Sequence, residues 1–310
     1  MNNVIEAKTE RYHQVIVASK KARWVISDVL QNDKFDMNCK FLPDGLSRVD
    51  DLEFIDPSMK ILISQIQGRT YANLFGLVER FINAKVLEVS QDHLLGDQTA
   101  LEALIRFSDE ELKHQELFRQ VDELISKQLP EGYNFNIDPN GVAKVVLSKS
   151  TWSVLALTLH IELFTLKHYK ESIRDNDNLS EDFKRIFKFH WMEESQHAIL
   201  DELELRREHE KLSDSEINNS VDDLISLVVA VSEICLAQAK ADAAYFLQIS
   251  PNLYSEEESY RIQKCFEKAY IYQYITSGVP EFAEKLLDIL GERRFSKIGT
   301  AIQPLMELTK

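Results

Sequence analysis

The sequence predicts an all-α fold, a helical bundle with flanking helices, and three observations predict it. Glycine and proline are scarce, 9 and 7 residues in 310, well below the usual roughly 7% and 5%. So few breakers in a long chain favour long helices over many short strands. Apolar side chains recur at helical spacing through successive long windows, and no stretch alternates as a strand does. Hydrophobic residues make up 44% of the chain, enough to build a core. That length suits one large domain or two small ones. No linker divides it, so residues 1–310 read as one domain.

Each element follows from its pattern. Residues 8–30 carry Val15, Ile16, Trp24, Val25 and Val29 at helical intervals. Pro43, Gly45 and Pro57 make residues 31–58 a loop crossing. Residues 59–93 read as a long helix broken by Gly96-Asp97, and residues 98–128 as the next. The turn-rich stretch 130–141 leads to a third long helix over 146–174. Ser180, before Glu181 and Asp182, is the expected N-cap of a fourth over 181–211. Helices over 215–249, 254–276 and 279–290 follow, punctuated by Pro251 and Pro280. The bundle core is expected over about 59–211, with 8–30 and 215–290 flanking it.

The net charge of −15 argues against nucleic acid, whose phosphates need Lys and Arg. It argues equally against an anionic membrane surface. The most apolar run, Leu224 to Ala237, contains Ser226, Ser232 and Glu233, is too short to span a bilayer, and reads as a buried helix. Cys39, Cys235 and Cys265 are odd in number and lack a CxxC spacing, so neither a disulfide framework nor a thiolate metal site is expected. With no apolar stretch in the first 14 residues, a reducing, cytoplasmic setting is the expectation.

One pattern occurs twice: Glu110-Glu111-Leu112-Lys113-His114 and Glu193-Glu194-Ser195-Gln196-His197. Glu and His three apart on a helix share a face, and a carboxylate converging with an imidazole suits a divalent first-row metal. Taken singly, such a motif is more often an ordinary surface or core pair. Bundles that hold two metals take Glu-x-x-His from two helices and one Glu from each of two others. Glu79, between Phe75 and Ile82, and Glu162, between Leu159 and Leu166, each interrupt an apolar stripe. A buried unpaired carboxylate is costly and needs a partner or a metal. The intervals also match: 111 − 79 and 194 − 162 both give 32, as two facing helical hairpins would require. Four carboxylates balance two divalent cations.

His190 precedes Glu194 by four residues and His197 by seven, on the same face, and is a candidate third imidazole ligand. The alternative is a packing histidine beside the site. Glu110 and Glu193, each four residues before its motif histidine, are candidates to accept that histidine's second ring N–H and fix its tautomer. They lie about 100° round the helix from the ligands, so a solvated role stays open. His160 and His168 are off the Glu162 face, and His13, His93 and His209 have no partner pattern.

These residues resemble the di-iron arylamine N-oxygenases, typified by p-aminobenzoate N-oxygenase, of the ferritin-like superfamily. The matching positions are Glu79, Glu111, His114, Glu162, His190, Glu194 and His197. The likeness covers about residues 59–211 by motif, and the His190 spacing narrows the choice within the superfamily. Lys113 and Gln196 stand where reductases and hydrocarbon monooxygenases often carry Arg. The resemblance implies a ferritin-like bundle and two iron ions per chain, with manganese as the alternative. It implies that Glu111 and Glu194 bridge, that Glu79 and His114 complete one iron, and that Glu162 and His197 complete the other. The ligands themselves would be the catalytic apparatus. It further implies O2 as co-substrate, a small-molecule substrate such as an amine, an external electron donor and a homodimer. Hydroxylation, desaturation or oxidase chemistry on another substrate, and ferroxidase or iron binding, are the alternatives.

Overall fold

The computed structural model describes residues 2–135 and 137–310, with side chains from residue 9 onward. Asn136, inside the turn-rich stretch, and Met1 lie outside the described residues. Among those described there is no strand; one isolated bridge joins Lys40 to Leu179. The all-α expectation holds.

Helix α1 (Asn2–Ala22) and a single turn, α2 (Ile26–Val29), replace the continuous helix expected over 8–30. Trp24 turns inward at the break and is 4% exposed. The crossing contains one short turn, α3 (Asp44–Ser47), and ends where Asp56 caps α4 (Pro57–Ser90), accepting from the Ser58 and Met59 amides. Pro57 suits the first helical position, where no N–H bond is lost. Asp97 caps α5 (Gln98–Ser126) in the same way, through the Thr99 and Ala100 amides. Gly68 lets α4 pass close to the crossing, since a Cβ there would meet Phe41 Cβ at 2.6 Å.

The helix expected over 146–174 is two. Asp138 and Pro139 start α6 (Pro139–Leu147), and Ser150 caps α7 (Thr151–Lys167). The Pro-Asn-Gly cluster that reads as a turn is in fact a helix start. A π-helical turn, His168–Ile173, extends α7. Helix α8 (Glu181–His209) starts at Ser180, but the Ser180 side chain makes no capping bond. Next come α9 (Asp214–Ile249), capped by a Ser213–Glu216 box, and α10 (Glu256–Ile271), capped by Ser255 and Glu258. A π-turn at Tyr272–Thr276 leads to α11 (Val279–Leu290). The chain's last long segment, past residue 290, is also helical: α12 (Glu292–Leu308), with Pro304 inside it.

Helices α4 and α5 pack as one hairpin, α7 and α8 as another, and the two face each other. Helix α1 closes over α5 and α8, while α9 lies along α7 with α10 behind it. The apolar run Leu224–Ala237 is the middle of α9. It is two-faced, not fully buried: Leu224, Leu227 and Cys235 are buried, whereas Val229 is 46% exposed. No helix among the described residues is long and apolar enough to cross a membrane. The three cysteines are free thiols.

Candidate metal centre

Four helices bring the acidic and imidazole side chains to the middle of the bundle. Glu79 (α4), Glu111 and His114 (α5), Glu162 (α7), and His190, Glu194 and His197 (α8) are all 2% exposed or less. The spacing of three within each motif aligns Glu and His on one face, and the facing hairpins point those faces at each other.

The ligand atoms form two overlapping groups. Those of Glu79, His114, His190 and Glu194 lie within 4.8 Å of one another, as do those of Glu111, His114, Glu194 and His197. Glu194 spans the two. Its Oε1 is 2.7 Å from His190 Nε2 and 3.0 Å from His114 Nδ1, and its Oε2 is 3.0 Å from His197 Nδ1. Glu111 sits with the second group, 3.0 Å from His197 Nδ1 and 4.0 Å from His114 Nδ1, rather than midway between the groups. His190 stands with Glu79, its Nε2 3.2 Å from Oε1. Glu162 falls outside both groups. It hydrogen-bonds Glu194 and borders the same small void as Glu79 and His190.

Burial without hydrogen bonding marks the cluster. Glu79 Oε2, both Glu111 oxygens, His114 Nδ1 and His190 Nδ1 have no hydrogen bond. Orphaned buried acceptors of this kind are rare and call for an explanation. Nitrogens and oxygens 3–4 Å apart with their lone pairs converging are what a cation needs, and this donor set suits a divalent first-row metal. The residues therefore fit a metal ion.

The electrostatics point the same way. Burial pushes Glu79 and Glu162 well above the ordinary carboxylate range, with neighbouring glutamates adding to it. Glu111 is raised by burial and by Glu194. Burial also pushes Glu194 upward, but the nearby His190, His197, Glu162 and His114 side chains outweigh it and hold this group well below its usual value. Burial disfavours a charged His114, yet its bond to Glu193 and the adjacent Glu194 carboxylate raise it to about 9. Negative charge packed this densely in a dry interior is stabilised by protons or by metal.

Around the cluster, each motif histidine is oriented from the opposite helix. His114 Nε2 meets Glu193 Oε2 at 2.8 Å, and His197 Nε2 meets Glu110 Oε2 at 2.8 Å. This corrects the expected pairing, in which each glutamate serves the histidine four residues on. The leading Glu of each motif points across the α5–α8 interface, because its 100° offset aims it at the neighbouring helix. Both pairs leave Nδ1 facing inward and fix the ring tautomer. Ser19 of α1 donates to Glu110 at 2.6 Å, and Lys113 pairs with Glu193. Trp24 stacks on the His114 ring at 5.8 Å, with the Lys113 ammonium 4.0 Å from the centre of its own ring.

Sequence reasoning missed Asp201. It is 2% exposed, one Oδ lacks a hydrogen bond, and burial pushes it well above its ordinary value, with Thr158 as its hydrogen-bond partner. The spacing 190, 194, 197, 201 shows that it continues the cluster-facing stripe of α8. Of the remaining histidines, His168 bonds Tyr71 and Ser277, His93 bonds Glu204, His160 packs against Phe164 and Phe282, His209 lies beside Trp152, and His13 is exposed.

No protein-family model matches the chain, and no curated protein matches it.

Proposed function

We propose that this chain is a non-haem di-iron oxygenase of the ferritin-like kind, which activates dioxygen to oxygenate a small molecule, an amine by the likeness of its motifs. The observation that carries the reading is the pair of buried, overlapping Glu/His groups that share Glu194 and His114, in which Glu79 Oε2, both Glu111 oxygens and His114 Nδ1 have no hydrogen bond. Two bound iron ions would supply the electrons that reduce dioxygen, with an external donor restoring them; manganese is the alternative metal. Glu79, His114 and His190 would hold one ion and Glu111, Glu162 and His197 the other, with Glu194 between them. Glu193 would keep His114, and Glu110 would keep His197, in the liganding tautomer, while Trp24, Phe107 and Phe118 pack against the imidazoles and exclude water.

The test is an iron count and a visible spectrum after anaerobic Fe(II) loading and exposure to O2. About two irons per chain and an O2-dependent absorption change support the reading. It fails if iron-rich expression yields metal-free protein, or if Glu111→Ala and His197→Ala retain the full iron content. A ferroxidase or store would take up iron far beyond two per chain.

A further inference from the structure

Helices α4 and α7 each carry two adjacent stripes. One holds Phe75, Glu79 and Ile82 on α4, with Thr158, Glu162 and Thr165 on α7, and faces the metal cluster. The next holds Leu74, Val78 and Phe81 on α4, with Leu157, Ile161 and Phe164 on α7, and lines a cavity of about 430 Å³ that α6 and α9 close. Val78 and Ile161 border both this cavity and the small void beside Glu79, Glu162, His190 and Glu194. Two aliphatic side chains therefore form the wall between the cavity and the candidate centre.

The lining is almost wholly hydrocarbon. Its one charged residue is Glu233, which is exposed at the rim near Val145, itself 50% exposed. No lysine, arginine or histidine lines the cavity. One buried polar group stands out. Tyr274 is 7% exposed, and its hydroxyl has no hydrogen-bond partner. It lies in the π-turn at Tyr272–Thr276, an irregularity that often marks functional sites. A pocket of several hundred Å³, mostly apolar with one or two polar groups that orient a ligand, is the usual form of a small-molecule site.

We propose that this cavity is the substrate chamber. It takes an uncharged, largely apolar molecule, such as an aromatic ring or short alkyl chain bearing one small polar group and no carboxylate, and the Tyr274 hydroxyl hydrogen-bonds that group. A carboxylate has no cation to meet here, would be desolvated without compensation, and would be repelled by Glu233. An amine that also carries a carboxylate, such as p-aminobenzoate, does not suit this chamber. The assignment of the chamber to a reaction rests on the oxygenase reading; the binding preference does not.

Calorimetric titration of the full chain, as purified and after chelation, separates the two. The probes are 4-ethylaniline, uncharged at neutral pH, and 4-aminobenzoate, the same ring bearing a carboxylate. The neutral ring is expected to bind once per chain, with 4-aminobenzoate at least about 100-fold weaker. Tyr274→Phe should weaken 4-ethylaniline about fivefold, the worth of one hydrogen bond. Ala230→Trp, which projects a ring from α9 at the half-buried rim, should abolish binding while the circular dichroism stays native. Should Ala230→Trp not fold, Val78→Phe and Ile161→Phe place the same question from the opposite wall. The proposal is overturned if 4-aminobenzoate binds as tightly as 4-ethylaniline, if the neutral ring does not bind, or if folded chamber variants bind it like wild type. These outcomes hold in chelated protein, so they stand or fall apart from the iron and O2 measurements.

Discussion

Asp242 on α9 offers a stability test remote from the candidate centre. It is 0% exposed. Thr70 Oγ1 donates to its Oδ2 at 2.6 Å, Gln238 Nε2 donates to its Oδ1 at 2.8 Å, and the Tyr270 hydroxyl also donates to Oδ2. Burial pushes the carboxyl from 3.8 up to about 7, and these bonds and Arg69 counter it only in part. The folded chain thus holds a proton that the unfolded chain releases near 3.8. Folding benefits fully below that pH, and the benefit is lost as pH rises towards 7. The slope is at most 1.36 kcal/mol per pH unit and halves at the folded pKa, so the loss from pH 5 to pH 7 is about 2.3 kcal/mol. Unfolding 310 residues carries an entropy of about 0.65 kcal/mol/K, so the Tm change over that interval is about 4 °C. Asp242→Asn cannot ionise. Its amide places a donor opposite Gln238, at about 1 kcal/mol irrespective of pH. Differential scanning calorimetry of chelated wild type and variant from pH 5 to pH 8 should show the variant gaining on wild type by about 2.3 kcal/mol between pH 5 and pH 7, and standing above wild type from pH 7 upward. Groups elsewhere titrate alike in both and cancel in the difference. Parallel curves would refute the reasoning.

Other perturbations have equally definite outcomes. Glu193→Gln should weaken metal binding about 10- to 100-fold, and the ring ¹⁵N signals that move should be those of His114, not His197; a response at His197 would restore the same-helix pairing. Glu194→Ala removes the carboxylate common to both groups, so metal should no longer raise Tm. For wild type at 100 times Kd, the shift corresponds to about 2.7 kcal/mol. Gly68→Ala sets a Cβ 2.6 Å from Phe41 Cβ and should destabilise by about 1–3 kcal/mol in urea unfolding, whereas Gly45→Ala, with open space around it, should change little.

Short-range signals were legible in the sequence. Glu111 and His114, or Glu194 and His197, share a face because three residues is nearly one helical turn, and that follows from covalent spacing alone. Glu79 and Glu162 showed themselves as charges in apolar stripes. The boundaries were less legible. Helix α6 begins at Asp138-Pro139-Asn-Gly, residues that cap a helix as readily as they make a turn. Helix α12 contains Gly299 and Pro304, which read locally as breakers although tertiary packing overrides them. The Ser180 cap was the right residue type at the right place, but its hydroxyl makes no bond, because a cap depends on side-chain rotation as well as position.

The sequence by itself determined that this chain is helical, that its candidate metal-binding residues are Glu and His on four helices, and that two hairpins of equal interval present them. Only the tertiary structure decided which groups meet. Glu110 serves His197 and Glu193 serves His114; Glu194 and His114 belong to both candidate groups while Glu162 stands beside them; Asp201 belongs to the same face; and an apolar cavity lined by no Lys, Arg or His lies one wall away, behind Val78 and Ile161. The physical reason is one of range. Periodicity fixes the direction of a side chain relative to its own helix axis, whereas partners across an interface depend on how two helices rotate and cross, which the packing of the whole core sets.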